Sequence, residues 1–303
     1  MNDLNELKAE FKQRYAKNSD VLSVVAIENT DQDSSLSDEY DLSLLIVTSG
    51  SSVEDHHILF HYIKDPYRIQ ERWVDYKQIH FWILNGQHRG IVQSVLQGDI
   101  LLDKDNFLEG MRHRLLEFPQ KLRNQRLLVE FSQFLKWYLS SKQRLEAGHV
   151  LDAYSDVLMA LKHWVRIAII EHAVHPEVMV WRQVRKLNPG VYKLYEELIS
   201  NNETLEKRIQ LVLLGCEFAV ISKMQECCYG LLEVLSSRDT PWNIDELNQH
   251  PALKGLQLDM SLILKKMADR ALIKRITVND SLDQTIAELK YTVCWSVNGR
   301  LYK

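Results

Sequence analysis

Ser37-Asp38-Glu39-Tyr40-Asp41 runs straight into Leu42-Ser43-Leu44-Leu45-Ile46-Val47. The apolar run predicts a strand, and the carboxylates stand at its mouth. Glu39 and Asp41 are two apart, so an extended chain points both to one face. Two carboxylates on one face repel each other unless a cation or a proton lies between them. Mg²⁺ held by one or two carboxylates together with substrate phosphates uses that arrangement. A solvated acidic turn before a strand has the same local sequence, so the flanking segments must decide.

Upstream, Leu4, Leu7, Phe11 and Tyr15 recur at helical spacing and predict an amphipathic helix over Asn5–Tyr15. Val21–Ile27 reads as a strand, and a polar loop from Glu28 to Leu36 joins it to the acidic strand. Downstream, 58–64, 68–76 and 78–84 alternate in period two and are rich in Ile, Phe, Tyr, Trp and Val, which predicts three more strands. Asp65-Pro66 is read as the turn of a hairpin. Asn85–Gly90 is a loop, Ile91–Leu96 a short helix, and Gly98–Asp103 a turn with a brief edge strand. Pro119 marks the first boundary.

This order of helix, strand, polar loop, S-D-x-x-D and apolar strand resembles the entry of the polymerase-β-type nucleotidyltransferase fold. Along essentially the whole chain, the segments resemble a bacterial group of nucleotidyltransferase-like proteins. Those join such a domain to a helical substrate-binding-like domain and a C-terminal helix-turn-helix domain. The resemblance implies an α+β architecture: a mixed sheet, an antiparallel helical bundle and a winged-helix-like module. It further implies Mg²⁺-dependent transfer from a nucleoside triphosphate, with Asp38 or Glu39 and Asp41 holding the metal. A third acid belongs on a later strand, where Glu71 and Asp75 share a face, and Glu71 is the candidate. Where the family carries Gly-Ser, this chain has Glu28-Asn29. Glycine there lets the backbone approach phosphates, whereas Glu28 presents a negative side chain to them. The alternative expectation is therefore a non-catalytic nucleotide- or partner-binding regulator whose last domain contacts DNA or protein.

A length of 303 residues suggests two or three domains, and 46% hydrophobic with 26% charged residues describes an ordinary globular chain. No basic leader followed by an apolar stretch begins it, and no run of eighteen apolar residues exists to span a membrane. Cys216, Cys227, Cys228 and Cys294 lack C-x-x-C spacing, so small buried thiols in a reducing cytoplasm are expected. The net charge is −4 overall, with −8 in residues 1–118 and +2 in each of 119–235 and 236–303. An acidic first domain repels bare polyanions, so a nucleotide there is expected to need metal. No P-loop, G-x-G-x-x-G, H-E-x-x-H or G-x-S-x-G motif occurs.

Beyond Pro119 the period changes to 3.6 and predicts helices over 121–146, 150–173, 176–187, 190–199 and 203–235, with Pro176 opening the third. His163 and Arg166, three apart on one helical face, are candidate substrate contacts, against a solvated ion-paired face as the plainer reading. Trp164, Trp181 and Tyr192 are read as packing before they are read as a wall for a base. His56, His57 and His61 scatter over two strand faces, which argues against a metal. Past the second boundary at 236–241, Asn243 with Glu246 predicts a capping box and Asp259 a second cap. Strands over 273–278 and 291–297 complete a winged-helix-like pattern. Lys265, Lys266, Arg270, Lys274 and Arg275 are the expected DNA contacts, together with Lys254. With a charge of only +2, weak non-specific affinity is expected of a monomer, and tight binding would need a homodimer.

Overall fold

The computed structural model describes residues 2–28, 40–50, 58–279 and 287–294, and the chain divides into two compact units, Met1–Pro119 and Gln120–Lys303. Asp38 and Glu39, with Asn29, His56, His57 and Trp295, lie outside the described residues.

In the first unit α1 (Asn2–Ala16) precedes β1 (Val21–Glu28) and β2 (Leu42–Thr48), followed by the hairpin of β3 (Ile58–Lys64) and β4 (Tyr67–Asp75). With β5 (Asp99–Asp103) these form one mixed sheet in the order β3-β4-β2-β1-β5. The β2–β4 pair is parallel and the other pairs are antiparallel. Leu7, Phe11 and Tyr15 of α1 bury one face against Val24, Ala26, Leu42, Leu44, Ile46 and Ile69. Their spacing of four residues is the apolar stripe that predicted the helix. Helices α2 (Tyr76–Asn85), α3 (Arg89–Gln97) and α4 (Phe107–Glu117) pack on the sheet from β1, β4 and β5.

The expected strand over 78–84 is a helix. Asp75 accepts a 2.6 Å hydrogen bond from the Lys77 amide, and Gly86 closes α2 in the left-handed conformation (φ 64°). Ile79, Trp82 and Ile83 are its buried side. Spaced at three and four residues, they suit a helix. Their branched and aromatic character suits a strand equally well, so only the two caps separate the readings. Helix α4 carried no expectation. Asp103 orients its start, accepting from the amides of Leu108 (2.9 Å) and Glu109 (3.0 Å) while also taking the Ser23 hydroxyl (2.6 Å).

In the second unit α5 (Gln120–Glu146) and α6 (Val150–Glu171) pair antiparallel, joined across Gly148 at φ 80°. The third helix, α7, is Val180–Leu187 rather than opening at Pro176. Gln183 explains the late start: its side chain donates to the His175 carbonyl (2.8 Å) and accepts from the Glu177 amide (3.0 Å), holding that segment as a loop. After α8 (Pro189–Ser200), the expected single helix over 203–235 divides at Cys228 into α9 (Leu205–Cys227) and α10 (Tyr229–Leu235). The break lets α10 bury Leu231, Leu232, Val234 and Leu235 together. Among the described residues the cysteines are free thiols, with Cys216, Cys227 and Cys228 buried.

Helix α11 (Ile244–Gln249) opens with the expected Asn243–Glu246 capping box. Asp259 accepts from the Leu262 amide at 3.0 Å to start α12 (Met260–Asp269). Met260, Ile263, Leu264 and Met267 are its buried side. The strands β6 (Ile273–Asn279) and β7 (Ala287–Val293) pair antiparallel, and β7 begins four residues before its expected start. No helix among the described residues is long and apolar enough to cross a membrane.

Candidate functional site

Strand alternation divides the predicted acids between two faces of the sheet. Register pairs Leu44 with Glu71 and Leu42 with Ile69, so Glu71 points toward α1. It is buried, and accepts from the Tyr15 hydroxyl, from the Tyr62 hydroxyl at 2.5 Å and from the Trp73 indole at 3.4 Å. Burial, reinforced by the hydrogen bond to Glu71, pushes both tyrosine hydroxyls well above their ordinary pKa. Glu71 is the anchor of this polar knot under α1. The expectation that it joins Asp41 in a catalytic group is corrected, because one step of the strand separates two faces. Glu28 lies on the same face as Glu71, ion-paired with Lys8 of α1, which also donates to Asp99 at 2.6 Å. Its charge is thereby turned away from Asp41.

Asp41 stands at the entrance to β2, on the opposite face. Its Oδ2 accepts from the Arg68 amide at 2.7 Å and lies 3.4 Å from the Arg68 guanidinium, while its own amide donates to the Arg68 carbonyl at 2.9 Å. These bonds, the Arg68 amide foremost, hold the Asp41 carboxyl below its usual pKa. Along the same face follow Ser43 on β2, Gln70 and Arg72 on β4, and His61 on β3. Register sets Ser43 beside Gln70, and Gln70 beside His61, in one row across three strands. Adjacent strands are about 4.8 Å apart, and Gln70 and Arg72 about 6.6 Å.

The polar groups of this row are partly matched. Gln70 Nε2 lies 3.3 Å from His61 Nε2, and the Tyr40 hydroxyl 2.7 Å from His61 Nδ1. The Ser43 hydroxyl is buried with no hydrogen-bond partner among the described residues, which costs about 1–3 kcal/mol. Arg72 is half-buried, and burial alone lowers its pKa; among the described residues no carboxylate offsets that cost. Sequence reading missed Ser43, Gln70 and Arg72. For Gln70 and Arg72 the signal is the alternation of β4, where Arg68, Gln70 and Arg72 are polar on one side and Ile69, Glu71 and Trp73 face the helix on the other.

A divalent cation takes several oxygen ligands. On this face of β2, β3 and β4, Asp41 is the one carboxylate among the described residues, and its Oδ2 is held by Arg68. No group of three acidic, histidine or cysteine side chains suited to a metal occurs among the described residues. The described residues therefore do not make a Mg²⁺ site.

In the second unit, His163 and Arg166 turn inward between α5 and α6. His163 Nδ1 lies 2.7 Å from Glu130 Oε2, and Arg166 donates to the same oxygen at 3.4 Å. Arg126 donates to Glu130 Oε1 at 3.1 Å. Burial works to raise the Glu130 carboxyl, but the His163 hydrogen bond and the charges of Arg126 and Arg166 outweigh it, holding it at about 2. Neither the open substrate contact nor the solvated face foreseen for this helix describes such a buried cluster. Trp164, Trp181 and Tyr192 pack against the core of Val165, Ile169, Val180 and Val184. In the C-terminal module Lys265, Arg270, Lys274, Arg275 and Lys254 are exposed, and Lys266 lies 4.0 Å from Asp269.

Three family models match the chain: nucleotidyltransferase-like over residues 4–123, YgxA-like substrate binding domain over 124–223, and helix-turn-helix domain over 229–293. The protein YgxA of Bacillus subtilis (strain 168) is 35% identical over 269 residues, covering 89% of this chain and 90% of that protein. The chain belongs to the YgxA-like family of nucleotidyltransferase-like proteins. A crystal structure of a nucleotidyltransferase-like protein from Exiguobacterium sibiricum 255-15 superposes with a TM-score of 0.84 at 29% identity, covering 96% of this chain and 99% of that one. For this YgxA-like chain the fold reading from the acidic strand is thus borne out: an α+β nucleotidyltransferase-like domain, a helical module and a helix-turn-helix domain.

Proposed function

We propose that this chain is a non-catalytic nucleotidyltransferase-like regulator. Its sheet binds a phosphate-bearing, nucleotide-type ligand without metal, and its helix-turn-helix module contacts DNA or protein. The observation that carries this reading is the polar face made by Asp41 and Ser43 of β2 with Gln70 and Arg72 of β4. Two-metal transfer needs converging carboxylates. Among the described residues this face instead offers one neutralised carboxylate, a buried hydroxyl, an amide and a guanidinium with no carboxylate partner. A guanidinium and neutral donors recognise phosphate oxygens directly, and a bound anion would offset the desolvation of Arg72.

Calorimetry with ATP in EDTA and again in Mg²⁺ tests the reading. Binding in EDTA, weakened at least tenfold by Arg72→Ala and with no pyrophosphate released in Mg²⁺, is the expected result. Binding that requires Mg²⁺ and disappears in Asp41→Asn would overturn it. Such a result would support a catalytic site in which Asp38 and Glu39 complete the metal ligands.

A further inference from the structure

Helix α9 has two apolar sides. Ile209, Val212, Cys216, Ala219, Val220 and Met224 face the bundle and are buried. Leu211, Leu214, Phe218 and Ile221 lie on the other side, exposed to 45, 67, 70 and 51%. A helix that covers a core on one face ordinarily carries polar residues on the opposite one. The spacing of three, four and three residues is the a/d seam of a coiled coil. Lys207 continues the seam at its N-terminal end and Gln225 at its C-terminal end, so the apolar stretch is bounded by polar residues at both ends.

We propose that this stripe is the two-fold interface through which two copies of the chain associate, with their α9 helices antiparallel. The stripe is its own complement in that orientation. With the axis level with Cys216, Leu211 meets Ile221 and Leu214 meets Phe218, so each large side chain opposes another across the whole seam. The polar ends select the direction. An antiparallel partner brings Lys207 to Gln225 and the adjoining Glu226 at both ends, and it opposes the two helix dipoles. A parallel partner sets Lys207 against Lys207. Within the chain Lys207 pairs with Glu203 and Glu226 with Lys223, at 3.0 and 3.7 Å, all partly exposed. Such surface pairs hold weakly and exchange readily. Near the axis the charge of Glu217 is answered by Lys142, 3.7 Å away on α5.

The seam and its flanks together approach the area of a specific interface. The four apolar side chains expose on the order of 400 Å² per copy. Two copies therefore bury roughly 800 Å² from the seam alone, and the flanking Lys207, Gln210, Ser222 and Gln225 extend this toward the ~1,000 Å² of a specific interface.

Analytical ultracentrifugation of the full chain at micromolar concentration is the first test, with Phe218→Glu and Leu214→Glu as variants and circular dichroism to check their fold. A dimer that becomes a folded monomer in either variant is expected. A native monomer at those concentrations would overturn the proposal and leave the stripe to another occupant. A dimer unaffected by both folded variants would overturn it equally. Should the charged variants misfold, cysteine pairing decides. Leu211→Cys mixed with Ile221→Cys should cross-link under mild oxidation, while either variant alone should not. Self-linking of each single variant without a mixed product would overturn the antiparallel arrangement.

Discussion

Glu130 is the residue on which the helical unit concentrates its buried charge. With Arg126, His163 and Arg166 it forms a nearly inaccessible cluster in which one carboxylate answers at least two cations. Removing it strands the arginines, so Glu130→Ala is expected to cost about 3–5 kcal/mol, measurable as a lowered denaturant midpoint. Its pH dependence has a definite sign. The folded carboxyl titrates at about 2 against an ordinary value of 4.5. A depressed folded pKa contributes stability that is complete above the unfolded value and is lost as pH falls toward the folded one. Urea midpoints should therefore fall between about pH 4.5 and pH 2, and the slope should be shallower in Glu130→Gln. An equal slope in both proteins would show that other carboxylates carry the acid response. His163 and Arg166 were legible as a pair on one helical face. What they face was not, because Glu130 lies 33 residues from His163 and comes from another helix.

At the scale of elements, α2 shows how closely a helix and a strand compete for one sequence. Ile79, Trp82 and Ile83 satisfy a strand's composition, and the Asp75 and Gly86 caps tip the balance. Asp75 also abuts Gly50, where φ is +90° and an added Cβ would come within 2.3 Å of its Oδ2. Asp75→Ala should cost about 1 kcal/mol by removing the cap, and Asp75→Asn, which still accepts from the Lys77 amide, should retain most of that stability. Chemical denaturation of the two variants separates cap loss from charge loss. The strands β1 and β2, by contrast, were legible outright. Each is a short, branched apolar run bounded by polar residues, and both lie in the sheet's interior, where little else fits. The α9–α10 division was not legible, because the apolar pattern continues through Cys228.

For the whole molecule, the helical module and the helix-turn-helix domain share one compact unit, Gln120–Lys303. Gln125 of α5 donates to the Ala252 carbonyl at 3.0 Å, and the Ser132 hydroxyl accepts from the Asp259 amide at 2.9 Å. Residues 120–303 expressed alone should unfold in one cooperative helical transition. Residues 236–303 alone should lack it, since α5 supplies partners for the segment that leads into α12. A cooperative melt of the 236–303 fragment would show that the module is self-sufficient.

The sequence by itself determined the order of most elements, which follows from periodicity, caps and branched runs acting over a few neighbouring residues; its resemblance to nucleotidyltransferase-like proteins implied the class of the fold. It also placed Asp41 at the mouth of a strand. Only tertiary structure decided which acids share a face. The pairing of β2 with β4 sends Glu71 under α1 and sets Asp41 on one face with Ser43, Gln70 and Arg72. Register across strands distant in sequence is a property of the assembled sheet, and a shift of one residue would exchange the two faces.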